Sequence, residues 1–312
     1  MRVVIALGGN AIARRGEALD ADSQRRRVRE AASAVADIAR ASETVVTHGN
    51  GPQVGLLALQ AQATPGVAPY PLDILGAETE GMIGYLIEQE LASIFPRSEV
   101  ATMLTQVEVD PGDPAFGKPT KPIGPVYPGA EARELSRRFG WRMAAEGDGF
   151  RRVVPSPEPV RIREFRTIEI LVEAGVIVVC AGGGGIPVVR TAEGALRGVE
   201  AVIDKDRTAA LLAIGLRADA LLLVTDVDAV YADWPERRRP LGETTPAELR
   251  GLALDPGSMG PKVEAACRFV EASGKPAMIG ALGEARRVLE GRAGTRVRPA
   301  GGAPSPRRGL AG

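Results

Sequence analysis

The chain has 312 residues, 45% of them hydrophobic, and its acidic and basic side chains balance to zero net charge, so it can bury a substantial core and presents no overall field of either sign. Aromatic residues make up only 4%, which with the absent basic excess argues against a nucleic-acid partner. Two distant cysteines and one histidine cannot furnish a zinc site or a disulfide framework, and no run approaches the roughly 18 apolar residues of a membrane span. Nothing reads as a signal peptide, so a cytoplasmic protein with no membrane partner is expected.

In chain order, the apolar run 2–7 predicts a first strand, ending on Gly8, Gly9 and Asn10 in "RVVIALGGNA". Residues 23–41 carry Val28, Ala31, Val35, Ile38 and Ala39 at helical spacing with arginines opposite. A strand over 43–48 runs into "HGNGPQVG", a helix over 77–94 follows, and 99–105 reads as a strand. The proline-rich stretch 110–128 cannot be a core strand or helix. With the helix-like 129–140 and the strand-like "FRRVVPSP" it forms a segment, 112–157, read as an inserted lid. A helix over 164–174, a strand over 176–180 and the run "GGGGIP" come next. Helices over 204–216 and 258–272 and strands over 219–225 and 276–280 complete the pattern, and the tail from Pro299 has the composition of a disordered segment. Near-continuous apolar strands alternating with helices predict an α/β fold with a mostly parallel sheet covered on both faces.

Three glycine loops follow apolar strands: Gly8–Asn10, 48–55 and 182–187. In an open parallel sheet ligands lie beyond the carboxyl ends of the strands, where backbone N–H groups can meet an anion. One such loop ordinarily just turns the chain; three at one sheet edge point to phosphate. Two familiar motifs are excluded. "GDPAFGKPT" has P-loop spacing but places Pro119 where Ser or Thr should stand, and "GNGPQVG" has Val54 where a dinucleotide fingerprint needs glycine. His48, alone at a strand end, reads as bonded to a backbone group.

Of 39 basic residues only five are lysines, Lys118, Lys121, Lys205, Lys262 and Lys275; the rest are arginines. A lysine surviving such a bias suits a place where a compact ammonium, unlike the planar guanidinium fork, fits a single phosphate oxygen. Lys205 stands between Asp204 and Asp206 at a helix start, and Lys262 lies in the first turn of another helix, where the macrodipole disfavours a cation unless an anion is near. "LVTDVDAVY" ends a strand with Thr225 and Asp226 and continues through Asp228 to Tyr231, which suits a nucleotide-edge loop.

Taken together, "VVIALGGNA", "HGNGPQVG", "PTKPIGP", "RRVVPSP", "GGGGIPVV", "GVEAVIDKD", "LVTDVDAVY" and "PGSMGPKVEAA" resemble, in order, the motifs of the carbamate kinases within the amino acid kinase superfamily, over residues 2 to about 297. The resemblance implies a single domain, 1–298, built as a three-layer sandwich with an eight-stranded, mainly parallel sheet, a small lid subdomain and a homodimeric assembly. Residues 1–175 would hold carbamate or carbamoyl phosphate, and 176–298 ATP or ADP with Mg2+ carried mainly on the phosphates. It implies reversible phosphoryl transfer between ATP and carbamate, used to make ATP, with Lys121, Lys205 and Lys262 on the moving group and Asp206 holding lysines in place. Gly8, Gly9, Asn10, Gly49, Asn50, Gly51, Gly182, Gly183 and Gly184 would wrap the substrate. Asp204, Thr225, Asp226, Tyr231, Met259, Gly260 and Lys262 would serve the nucleotide. One departure is informative: acetylglutamate and UMP kinases carry a lysine in "KLGG", where this chain has Ala6, so the charge must come from elsewhere. The alternatives are an enzyme run toward carbamoyl phosphate, a kinase of another small acid and a binding module without catalysis. Ala6 together with a lid lysine argues against the second, and the intact lysine set against the third.

Overall fold

The computed structural model describes residues 1–13, 17–63, 68–234, 236–237, 239–252, 254 and 259–301, with Asn10 described by its backbone. Its centre is an eight-stranded sheet in the order Glu243–Thr244, Thr295–Val297, Ala277–Ala281, Ala220–Thr225, Arg2–Leu7, Glu43–His48, Ile177–Cys180, Val100–Met103. The six strands from Ala277–Ala281 to Val100–Met103 run parallel, and Thr295–Val297 turns back antiparallel on one side.

Side-chain alternation along the strands explains the sandwich. Val4 and Ala6 of the first strand point into a core shared with Val178, Leu221, Leu223 and the helices Phe165–Glu173, Lys205–Gly215 and Met259–Ser273. Val3, Ile5 and Leu7 point the other way, into a core with helices Ala21–Ala39 and Leu72–Ile94. Both faces of every central strand are therefore dry, which is why these runs read as continuously apolar. Asp20 caps the helix Ala21–Ala39 by accepting from the Ser23 N–H, and the arginines of that helix face outward.

Two further sheets lie off the central one. The strand expected over 99–105 ends at Met103, because Thr105 leaves the ladder: its N–H goes to Glu80 and its hydroxyl accepts from Ala181 N. The chain then enters a four-stranded sheet, Leu196–Gly198, Ile186–Arg190, Gln106–Val109, Pro159–Ile162. Gln106–Val109 and Pro159–Ile162 pair antiparallel and form the stem from which residues 110–158 protrude. That protrusion carries a three-stranded sheet of Lys121–Tyr127, Gly149–Val154 and Met143–Glu146, with the helix Gly129–Phe139 against it. The proline-rich stretch thus does contain a strand, tolerated because Lys121–Tyr127 is an edge strand interrupted by a bulge between Ile123 and Val126. The helix start expected at Ser258 and the tail beyond residue 301 lie outside the described residues.

The protruding sheet is seated on the body by a small apolar cluster of Val54, Ala58, Leu72, Leu75, Ile123 and Val154. The helix Gly51–Gln62 meets the strand Lys121–Tyr127 so closely that a Cβ on Gly55 would fall 2.0 Å from Gly124 Cα. Gly55→Ala is therefore expected to destabilise the protein by about 1–3 kcal/mol, as overpacking does, measured by chemical denaturation. Wild-type stability in this variant would show that the contact yields freely.

Candidate active site

The parallel register brings the loops after the central strands to one level. Leu7 pairs with both Val224 and His48, Gly8 N donates to Val224 O at 3.0 Å, and Gly49 N donates to Leu7 O at 3.0 Å. Most of the glycines here let the backbone approach other parts of the protein. A Cβ on Gly8 would lie 2.9 Å from Val224 O, and one on Gly49 2.9 Å from Gly9 Cα. Gly182 faces the His48 ring and Gly183 the Asn50 amide, at 2.3 and 2.2 Å from a would-be Cβ. Gly183, Gly184 and Gly185 also have φ of 66°, 94° and 88°, which only glycine adopts without strain. Gly9 and Gly51 differ: a Cβ on either would meet nothing within 4 Å. They border a cavity of about 230 Å³, so the room their missing side chains leave opens into it.

Charge converges on the same cavity from three segments. Lys121 opens the edge strand of the protruding sheet, Lys205 opens the helix Lys205–Gly215, and Lys262 lies in the first turn of Met259–Ser273; all three line it. Asp204 caps its helix with Oδ1, accepting from Asp206 N at 2.9 Å and Arg207 N at 3.3 Å, and binds Lys121 Nζ with Oδ2 at 2.5 Å. Asp206 bridges the other two, with Oδ1 2.5 Å from Lys205 Nζ and Oδ2 3.3 Å from Lys262 Nζ. Burial alone would raise the Asp204 carboxyl, but the ammonium groups of Lys121 and Lys205 overcome it and hold it well below the usual carboxylate range. Burial pulls Lys205 below the ordinary lysine range against the attraction of Asp206. It also opposes the charge on Lys262, yet there Asp206 and Asp204 prevail and push the ammonium up. The cation that the dipole disfavours in the helix Met259–Ser273 is thus already accommodated by Asp206. Each ammonium has three N–H donors, so these pairings leave donors for oxygens in the cavity.

Comparison with known proteins shows the family to which the chain belongs. Residues 1–281 match the sequence profile of the amino acid kinase family. The chain is 52% identical over 299 residues to the carbamate kinase of Haemophilus influenzae, covering 95% of this chain and 96% of that one. To the carbamate kinase of Rhizobium meliloti it is 54% identical over 300 residues, covering 95% and 92%. The solved structure of carbamate kinase from Giardia lamblia bound to AMP-PNP superposes with a TM-score of 0.87 at 41% identity, over 96% of this chain and 98% of that one. The chain belongs to the carbamate kinases. As a member of the carbamate kinases it is a phosphotransferase with the eight-stranded amino acid kinase fold.

Of the residues expected from the sequence, Gly8, Gly9, Gly49, Asn50, Gly51, Lys121, Gly183, Asp204, Lys205, Asp206, Thr225, Asp226 and Lys262 line the one cavity. Others stand apart from it. Gly182 and Gly184 serve packing against His48 and Ile203, and Met259 and Gly260 precede Lys262 in its helix without reaching the cavity wall. Tyr231 is half-buried outside the cavity wall, its hydroxyl donating to the Asp228 carboxylate. The side chain of Asn10 lies outside the described residues. Among the described residues, sequence reasoning missed the apolar wall formed by Pro52, Pro122, Ile123, Val202, Ile203 and Pro261. Pro52 and Pro261, each following a singled-out glycine, were its nearest signal.

Behind the glycine loops lies a buried layer that sequence gave no reason to join together. The His48 ring is fully buried, with Nδ1 3.2 Å from Gly49 O, and burial drives its pKa down to about 4. Glu80, from the helix Leu72–Ile94, accepts Gly182 N at 2.8 Å and Thr105 N at 3.2 Å, and burial raises its pKa to about 8 despite these bonds. The folded state therefore retains a proton on Glu80 that the unfolded chain gives up above about 4.5, and the resulting stabilisation is lost as pH rises toward 8. His48 acts in the opposite sense and below its ordinary 6.5, so between pH 6.5 and 8 the Glu80 effect stands alone of the two. Stability is expected to fall across that interval, and Glu80→Gln, which mimics the protonated carboxyl, should flatten the slope. An unchanged slope in denaturation at the two pH values would remove Glu80 as its source.

Proposed function

We propose that the protein catalyses reversible, Mg2+-dependent transfer of a phosphoryl group between ATP and carbamate, giving ADP and carbamoyl phosphate, and that it runs toward ATP. The observation that carries this reading is the convergence of Lys121, Lys205 and Lys262 from three segments on the cavity bordered by Gly9 and Gly51. Phosphoryl transfer asks for positioning and neutralisation of charge on the moving group rather than covalent chemistry. Preorganised ammonium groups in a buried site supply that neutralisation. Carbamate already presents an anionic oxygen, so no general base is required. In this reading Asp206 takes no proton; with both oxygens on lysines, it keeps Lys205 and Lys262 a fixed distance apart.

In this reading the substrate end lies by Gly8, Gly9 and Gly49–Gly51, with Asn10 next in the chain, and the nucleotide end by Thr225, Asp226 and Lys262, with Met259 and Gly260 in the same first helical turn as Lys262. Among the described residues no group of three or more His, Cys, Asp or Glu side chains could hold a metal ion, and Asp204 and Asp206 are committed to lysines. In this reading Mg2+ is carried mainly on the nucleotide phosphates, where it would supply charge neutralisation. The protruding sheet, 112–157, acts as the lid that delivers Lys121. A homodimer is supported by an exposed apolar stripe of Ile74, Met82 and Tyr85 on the helix Leu72–Ile94, with Leu104 beside Gly81. Both cysteines are free and buried, in keeping with a reducing cytoplasm, and among the described residues no helix is long and apolar enough to cross a membrane.

The test is ATP formation from ADP, carbamoyl phosphate and Mg2+. Lys205→Ala is expected to lower turnover by at least about 100-fold, because it removes a contact to the transferring group. Near-normal turnover in well-folded variant protein would take Lys205 out of the site. Lys121→Arg should be nearly as damaging if a compact ammonium is required; full activity would show that charge alone suffices.

A further inference from the structure

Asn50 lines the cavity yet is almost wholly buried, and its amide is gripped from behind. Its Nδ2 donates to Thr79 Oγ1 at 2.8 Å. Thr79 is fully buried on the helix Leu72–Ile94, and its own hydroxyl hydrogen is directed back at the helix carbonyls of Leu75, 3.0 Å away, and Gly76, 2.9 Å away. What faces Asn50 is therefore a lone pair, which accepts the amide N–H and repels the amide oxygen. Gly183 also lies against the amide, so close that a Cβ there would come within 2.2 Å of Nδ2. The next helix residue, Glu80, takes the N–H of Gly182. Two consecutive residues of one helix thus hold the loops that follow two neighbouring strands.

We infer that Thr79 is a positioning residue for the substrate side of the site: it fixes which way the Asn50 amide is turned toward the carbamoyl group. This rests on the carbamate kinase reading of the cavity. With one N–H engaged by Thr79, the Asn50 amide retains an N–H and a carbonyl oxygen. That pair is the hydrogen-bonding complement of a carbamoyl group, which offers a carbonyl oxygen and an NH2. Turned over, the same side chain would present donor to donor and acceptor to acceptor. Thr79 has no path of its own to the cavity, so its influence must pass through Asn50.

Thr79→Val keeps the shape and removes the lone pair, and Thr79→Ser keeps the hydroxyl. Steady-state ATP formation is followed for the wild type, both variants, Asn50→Ala and the Thr79→Val/Asn50→Ala double variant. Thr79→Val is expected to lower kcat/KM for carbamoyl phosphate about tenfold or more while the KM for ADP stays within about twofold, since a small misplacement of a positioning group is costly. Thr79→Ser should restore most of the loss, and Thr79→Val should cost nothing further once Asn50 is alanine. Wild-type behaviour of Thr79→Val, failure of the serine to rescue, or an equal loss in the Asn50→Ala background would overturn the assignment. A second readout needs no turnover. In ligand-free protein the Asn50 side-chain NH2 should give exchange-protected NMR signals in the wild type and Thr79→Ser, and lose that protection in Thr79→Val. If the wild type made no ATP, the carbamate kinase reading would fall, and the NMR comparison would still decide whether Thr79 orients Asn50.

Discussion

Burying an ammonium group removes its hydration, a penalty of several kcal/mol that only close counter-charges can offset. Lys205 and Lys262 accept that penalty at the centre of this molecule, and Asp206 makes it bearable by offering one oxygen to each. Asp204 extends the arrangement outward, capping its helix with one oxygen and holding Lys121 with the other. The result is a set of cations held in place by carboxylates, Lys205 and Lys262 largely buried and Lys121 31% exposed. On the proposed reading, an incoming phosphoryl group would share donors that are already oriented, leaving little reorganisation for the moment of transfer.

The rest of the fold supplies position. Parallel strands end together, so their loops open on one edge, and glycines allow those loops to touch without side chains between them. The protruding sheet solves a different problem. Lys121 must reach Asp204 from a segment more than eighty positions earlier in the chain, and it does so from an edge strand seated on the apolar cluster around Ile123 and Val154. The helix Leu72–Ile94 serves two surfaces at once: Thr79 and Glu80 reach inward to the loops, and Ile74, Met82 and Tyr85 face outward.

How much of this was legible in the sequence follows from how local each signal is. The central strands were readable because both of their faces are dry, and the strands 2–7 and 43–48 have the bounds their apolar runs suggest. The glycine loops and the scarce lysines marked the cavity, since glycine and a compact ammonium each have few substitutes at such places. Pairings between distant segments left no local trace. Nothing near Glu80 hints at Gly182, and nothing near Lys262 shows that Asp206 already answers the unfavourable helix dipole. The short second sheet was hidden for the same reason: its strands are brief, and two of its three pairings join segments far apart in the chain. Tyr231, close in sequence to Thr225 and Asp226, places its hydroxyl on Asp228 within its own loop, a pairing the sequence did not announce.

The central claim is that these three ammonium groups share their protons between carboxylates at rest and the phosphoryl oxygens during transfer. Its most direct test is a crystal structure with ADP, Mg2+, carbamate and a planar phosphoryl mimic such as an aluminium fluoride. The account predicts Lys121, Lys205 and Lys262 Nζ each within about 3 Å of the mimic or of the phosphate oxygens flanking it. A complex in which the mimic is bound and Lys121 or Lys205 stays engaged only with its aspartate would contradict it.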